Sequence, residues 1–184
     1  MLRQLIPGTP AAREALLVST LHSRSRRPPS SLLRPHGGEL DGEVALGVVL
    51  ADPSGEITAL QQAARRYPPP LRQALVAGLW EASFDIDIAR KAVTRGDTAY
   101  VAGCLFRVVE MCAHALHGHA GHWLINEKNA VASAGRLPGA PAGFAVRAQS
   151  VLAHLGSTPS ELSSAIDSAS DLLADTTNVC RPSR

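Results

Sequence analysis

The longest amphipathic pattern of the chain is LRQALVAGLWEASFDIDIARKAVTRGDTAYVAGCLFRVVEMCAHAL, residues 71–116. Its apolar residues recur every three to four positions, the spacing of one helix face. The first run comprises Leu71, Leu75, Leu79, Ala82, Ile86, Ala89 and Val93, and the second comprises Val101, Leu105, Val108, Val109, Cys112 and Leu116. Asp97 lies between them as a candidate N-cap. The stretch predicts one helix up to Gly96 and another from Asp97 to about Gly118.

Further helices are predicted on both sides of this pair. The candidates are Glu56–Arg66, about 122–134, Phe144–Leu155, and a last helix that begins after Thr158. Thr158, Pro159 and Glu161 have the spacing of a capping box with proline at the first helical position. The fold class predicted is mainly α, with a C-terminal bundle of about five helices over residues 71–175.

A short β element is predicted before the bundle. VALGVVLA, residues 44–51, is an apolar, β-branched run followed by the turn residues Asp52, Pro53, Ser54 and Gly55. Upstream, Ala11–His22 is a candidate short helix, and the Arg-, Ser- and Pro-rich residues 23–38 are predicted to be a disordered loop. The expected division is a partly disordered segment at 1–38, a β-hairpin at 39–58 and a helical domain at 59–184.

The composition limits the classes of function. The 184 residues carry a net charge of +2, too small to indicate nucleic-acid binding. No uninterrupted apolar run approaches the roughly 20 residues of a membrane span, so no membrane partner is expected. The three cysteines, Cys104, Cys112 and Cys180, form no paired motif and are predicted to be reduced core thiols. These features together predict a cytoplasmic protein.

Two groups of residues resemble metal sites. Asp85 and Asp87 would share one face of a strand and could hold Mg²⁺ there, but the leucine periodicity runs through them and places them on a helix, where we interpret them as solvated. The second group is the histidine cluster, with Cys112 and the four residues His114, His117, His119 and His122. The spacing of these residues permits a metal site. We favour the alternative that they lie at the end of a helix, with His114 and His117 facing substrate or solvent.

Asn126, Glu127 and Lys128 interrupt an apolar stretch with an amide, an acid and one of only two lysines. An exposed helical turn explains them as well as a substrate contact does. In the second case Lys128 would meet a phosphate or another anionic group, because an ammonium held by apolar neighbours is a fixed point charge.

Several phrases, among them GEVALGVVLADPSGEI, LWEASFDIDIARKAVTRGDTAYVAGCLFRVVEMCAHALHGHAGHWLINEKNAV and LPGAPAGFAVRAQSVL, resemble the second half of actinobacterial nucleotidyltransferase-domain proteins. The resemblance covers about residues 39–155. It implies that Val44–Ala51 is a late strand of a polymerase-beta-like palm, and that the bundle is the substrate-side domain with Asn126, Glu127 and Lys128 as its polar motif. The Gly-Ser turn and paired acids of a complete palm are missing upstream.

The resemblance therefore implies the helical substrate-side domain of a family that transfers a nucleoside monophosphate to a hydroxyl, inactive by itself and without catalytic residues. The expected ligand is a small molecule or nucleotide, bound by Lys128, Glu127, Asn126, His114 and His117. Magnesium and a nucleoside triphosphate are implied only for the full-length family, and a separate palm domain or a second copy is the expected partner. The alternatives are a non-catalytic binding module, and a metal-binding protein that uses the histidine cluster.

Overall fold

The computed structural model describes residues 36–181, so the helix predicted at Ala11–His22 and residues 23–35 of the predicted disordered loop lie outside the described residues. The last three residues of that loop, 36–38, are instead the start of a helix. The described part is mainly helical, which confirms the predicted mainly α class, and it contains no β-strand. Its helices are α1 (His36–Leu46), α2 (Glu56–Ala64), α3 (Pro69–Ala77), α4 (Leu79–Val93), α5 (Thr98–Ala120), α6 (Ala130–Ala134), α7 (Phe144–Ala153) and α8 (Pro159–Cys180).

Helix α5 lies at the centre of the bundle. It contacts α3, α4, α6, α7 and α8, and it buries the residues of its predicted apolar face. Val101, Leu105 and Val108 are completely buried there, and each such side chain contributes about 1.5–3 kcal/mol relative to exposure. The three cysteines are free and buried, as predicted.

Two predicted helix starts are confirmed in atomic detail. The Asp97 side chain accepts a hydrogen bond of 3.1 Å from the Tyr100 backbone N–H and caps α5. At α8, Thr158 and Glu161 form the reciprocal capping box. The Glu161 carboxylate accepts the backbone N–H of Thr158 at 2.9 Å and that of Ser157 at 2.9 Å, which lowers its pKa. These caps satisfy donors that a helix start leaves unpaired.

The strand predicted at Val44–Ala51, and with it the β-hairpin at 39–58, is wrong. Residues up to Leu46 belong to α1, and residues 47–51 form an irregular connection to α2. A single strand leaves its backbone groups without partners, whereas a helix pairs them internally. The Gln61 side-chain amide donates to the carbonyl oxygen of Gly47 and thereby satisfies one group of this connection.

Two helix boundaries also differ from the prediction. The helix expected from Leu71 to Gly96 is interrupted at Gly78, which separates α3 from α4. The helix expected at 122–134 is reduced to α6, and residues 122–129 are irregular. Glycine weakens a helix interior because it has the largest conformational freedom to lose.

Helix α5 is the one described helix whose length and composition permit a membrane span. It has 23 residues, and the most apolar part has a mean hydropathy of 1.3. Half of that part is buried inside the bundle. The apolar residues of α5 therefore serve as the core of the helical packing.

Two glycines of α5 provide a matched test of this packing. A Cβ added at Gly118 would lie 3.1 Å from the Leu75 Cβ and 2.9 Å from its Cδ1, whereas one added at Gly103 would meet nothing within 4 Å. We expect Gly103→Ala to raise the free energy of unfolding by up to about 1 kcal/mol, the helix-propensity gain. Gly118→Ala should instead lower it by about 1 kcal/mol, because α3 is displaced. Urea unfolding measures both, and an equal gain in the two variants would contradict the close approach of α3.

Candidate functional site

An open cleft of about 480 Å³ lies where α5 ends. Its polar lining residues are His117, His122, Asn126, Lys128, Ser133 and Arg136. Its apolar lining residues are Trp123, Leu124, Ile125, Leu137 and Pro138. We call it the cationic cleft, because Lys128 and Arg136 line it and, among residues 36–181, no aspartate or glutamate does.

The cleft exists because α5 stops at Gly121. This residue has a φ of 70°, a left-handed conformation that favours glycine, and the His122 N–H then donates to the His117 carbonyl oxygen at 2.9 Å. The chain leaves the helix axis here. Residues 122–129 consequently run along the end of the bundle as one wall of the cleft.

Trp123 fixes this wall to the N-terminal helices. Its indole Nε1–H donates to the Ala64 carbonyl oxygen at 3.1 Å, and its ring lies 4.7 Å from the Tyr67 ring, centroid to centroid. Gly42 of α1 packs so closely that an added Cβ would lie 3.3 Å from the Trp123 ring. Trp123 therefore anchors this segment, although the segment is not helical.

Asn126 and Lys128 form a tight turn at the rim of the cleft. The Asn126 Oδ1 accepts the Lys128 backbone N–H at 2.9 Å, and Asn129 has a φ of 64° before α6 begins. The Lys128 side chain is exposed. Within residues 36–181, the ion pairs of arginine join Arg90 to Asp167, Arg107 to Asp85 and Arg147 to Asp175, and none involves Lys128 or Arg136.

His117 lies in the inner wall and is only 4% exposed. Its Nε2 lies 2.9 Å from the Ser133 Oγ, and that hydroxyl donates its single proton to the Ala130 carbonyl oxygen at 3.0 Å. His117 Nε2–H must therefore be the donor to Ser133, which leaves Nδ1 as a buried acceptor without a hydrogen-bond partner. Burial, with the nearby His114 and His122, lowers the pKa of His117 to about 4, so the ring is neutral at neutral pH.

Glu127 and His114 lie apart from the cationic cleft. Glu127 lines a second cleft of about 260 Å³, the acidic cleft, together with Glu110, Phe106, Asn129 and Gln149. The His114 Nε2 lies 4.0 Å from the Glu110 Oε2. Burial, with the adjacent charge of Glu127, raises the pKa of Glu110 to about 7. The structure thus brings together Lys128, Asn126 and His117 and places the other two predicted residues elsewhere.

Sequence reasoning missed Arg136, Ser133 and Glu110. Arg136 and Ser133 follow the irregular segment, which the sequence predicted as helix, and no pattern relates them to Lys128. Glu110 lies inside the apolar run of α5, where an acid among buried positions is a recognisable signal. Its side chain is 14% exposed, and its Oε2 has no hydrogen-bond partner.

Asp85 and Asp87 lie on helix α4, as predicted, and not on a strand. Asp87 is exposed, but the expectation that both acids are solvated is wrong for Asp85, which is 3% exposed. Its Oδ2 lies 3.1 Å from the Arg107 Nε on α5. The two groups form an ion pair, but their relative orientation does not meet the geometry of a hydrogen bond. Burial raises the pKa of Asp85, and Arg107 partly opposes this. The ion pair of Asp85 with Arg107 therefore links α4 to α5.

The histidine cluster does not converge on a metal position. Among residues 36–181, no group of three or more His, Cys, Asp or Glu side chains is arranged to hold a metal ion. His117 is directed to Ser133, and Cys112 is completely buried, which raises its pKa to about 12.

Glu110→Gln tests the electrostatics of the acidic cleft. The pKa of Glu110 is about 7 in the folded protein and ordinarily 4.5, so its protonated form stabilises the fold fully below pH 4.5, and this contribution is lost as the pH rises through 7. Glutamine stays neutral at every pH. The Glu110→Gln protein should therefore gain stability relative to the unchanged protein as the pH rises. The difference between their free energies of unfolding should increase by up to about 3 kcal/mol from pH 4.5 to 8. His117 titrates in both proteins, so its contribution cancels in this difference. A pH-independent difference in urea unfolding would contradict the burial of this acid.

Comparisons with known proteins give one match. A family model described as "Domain of unknown function (DUF4037)" matches residues 42–128, a little under half of the chain. The matched part runs from α1 to Lys128 and includes all of α5, but it ends before Ser133 and Arg136. No curated protein and no solved structure matches the chain. Over residues 42–128 the chain is similar to a family whose description states no function.

Proposed function

We propose that this chain is the helical substrate-side domain of a nucleotidyltransferase-like protein, and that the cationic cleft binds the phosphate groups of a small-molecule or nucleotide ligand. The observation that carries the proposal is the presence of both Lys128 and Arg136 in a cleft that no acid of the described residues lines. Neither cation has an ion-pair partner among residues 36–181. An anionic ligand would supply the missing countercharge.

The other walls support a ligand with both phosphate and apolar parts. Trp123, Leu124 and Ile125 offer apolar surface beside the two cations. Arg136 can bind a phosphate through two parallel N–H donors, whereas Lys128 acts as a point charge. His117 adds no charge at neutral pH, because its pKa is about 4. Recognition is therefore assigned to Lys128 and Arg136.

Magnesium and a nucleoside triphosphate belong to the full-length family that the sequence resembles. The described residues do not fit a magnesium site, because Asp85 is paired with Arg107 and no group of three or more His, Cys, Asp or Glu side chains within residues 36–181 is arranged to hold a metal ion. Two-metal phosphoryl transfer needs such converging carboxylates. We therefore assign the metal-binding acids to a separate palm domain and no catalytic step to this chain.

The two lysines of the chain provide a matched test. Lys128→Met deletes the charge at the cleft and keeps the aliphatic stem, and Lys91→Met makes the same change at an exposed position of α4. We expect Lys128→Met to weaken the binding of ATP by about tenfold, or about 1.4 kcal/mol, with unchanged thermal stability. Lys91→Met should leave the affinity unchanged. NMR titration with ATP in the absence of Mg²⁺ measures weak binding.

Arg136→Met is a second variant of the same design and should weaken ATP binding to a similar extent. Equal affinities of the unchanged protein, Lys128→Met and Arg136→Met would contradict the proposed site. Equal weakening by Lys91→Met would indicate a response to net charge alone and would also contradict it.

A further inference from the structure

Helix α4 carries two exposed aromatic side chains one turn apart. Trp80 is 65% exposed and Phe84 is 56% exposed. Large aromatic side chains gain much free energy from burial, and they are enriched where one protein surface contacts another. The part of α4 that bears Trp80 and Phe84 is therefore a candidate for contact with a further surface.

The geometry of the helix places these two residues on one face with two charged residues. Successive residues of a helix are about 100° apart, so the four side chains lie within an arc of about 60°. We call them the outer face of α4, and all four are exposed: Trp80, Phe84, Asp87 and Lys91. Ala82 and Ala89 lie on the opposite side and are completely buried, and α4 packs mainly against α5 and α8. The outer face thus points away from the helices that α4 contacts.

The exposed charges of α4 are ordered along the helix. Glu81 and Asp87 come first, and Arg90 and Lys91 follow in the last turn. Arg90 is paired with Asp167 of α8, whereas neither Asp87 nor Lys91 has an ion-pair partner among residues 36–181.

This order makes the outer face complementary to itself. Two copies of α4 that lie antiparallel bring the acidic half of one helix against the basic half of the other, and opposite charges across an interface favour association. Two parallel copies would bring like charges together. The partner that fits both the aromatic side chains and this charge order is a second copy of the same chain.

We propose that the outer face of α4 forms a homodimer in which the two α4 helices lie antiparallel about a two-fold axis. Asp87 then faces Lys91 of the partner subunit, and the two-fold axis repeats this pair. Phe84 lies three residues before Asp87, so its ring is placed to contact the same lysine through a cation–π interaction. No residue of α4 lines the cationic cleft, so the proposal stands independently of ligand binding there.

Sedimentation velocity of the full chain at increasing concentration tests the aromatic contact. We expect a reversible equilibrium between monomer and dimer. Phe84→Glu should raise the dissociation constant of the dimer by about tenfold or more, because the substitution occurs twice in each dimer. Val146→Glu makes a similar change at a position of α7 that is 72% exposed, and it should leave the dissociation constant unchanged. Circular dichroism of each variant establishes that the bundle is folded.

An exchange of charges tests the antiparallel arrangement. Asp87→Lys and Lys91→Glu each place like charges opposite one another, so each variant alone should dimerise about tenfold more weakly or worse. In an equimolar mixture the two variants again present an acid opposite a base at both pairs. We therefore expect the mixture to form a heterodimer with an affinity close to that of the unchanged protein.

Three outcomes would overturn the proposal. A monomer at every concentration would show that a second copy does not bind the outer face. A dimer that responds equally to Phe84→Glu and Val146→Glu would place the interface elsewhere. A mixture of Asp87→Lys and Lys91→Glu that associates no better than either variant alone would contradict the antiparallel pairing of Asp87 with Lys91 of the partner subunit.

Discussion

The apolar face of α5 is buried along its whole length, and the rest of the bundle is arranged around it. Helices α3, α4, α6, α7 and α8 all contact α5. Leu105 and Val108 at its centre have no exposed surface. Because α5 must occupy this central position, the point where it ends decides where the chain reaches the surface. That point is Gly121, whose left-handed conformation turns the backbone away from the helix axis.

The irregular segment that follows Gly121 separates two clefts of opposite charge. Lys128 lines one cleft with Arg136, while its neighbour Glu127 lines the other with Glu110. These adjacent residues lie in different clefts, beside the turn in which the Asn126 side chain accepts the Lys128 backbone N–H. Burial keeps His117 neutral at neutral pH, so the positive potential of the cationic cleft depends on Lys128 and Arg136.

Local signals predicted a large part of the fold. The periodicity of residues 71–116, the cap at Asp97 and the capping box at Thr158 each depend on neighbours within one or two turns, and all three are confirmed. The strand at 44–51 failed because strand formation requires a distant partner, which short-range patterns cannot supply. The cationic cleft was only partly predictable, since Trp123, which lines it together with Lys128 and Arg136, is held by a nonlocal hydrogen bond to Ala64. Asp85 was misjudged because its burial depends on Arg107 of another helix.

The cleft depends on two features together: α5 ends at Gly121, and Trp123 fixes the non-helical residues 122–129 against Ala64 and Tyr67. The most direct measurement is an NMR analysis of the full chain that combines Cα chemical shifts over residues 121–134 with nuclear Overhauser contacts of the Trp123 indole proton. We expect non-helical shifts from His122 to Asn129 and contacts from the indole to Ala64 and Tyr67. Continuous helical shifts from His122 to Ala134, without those contacts, would contradict it.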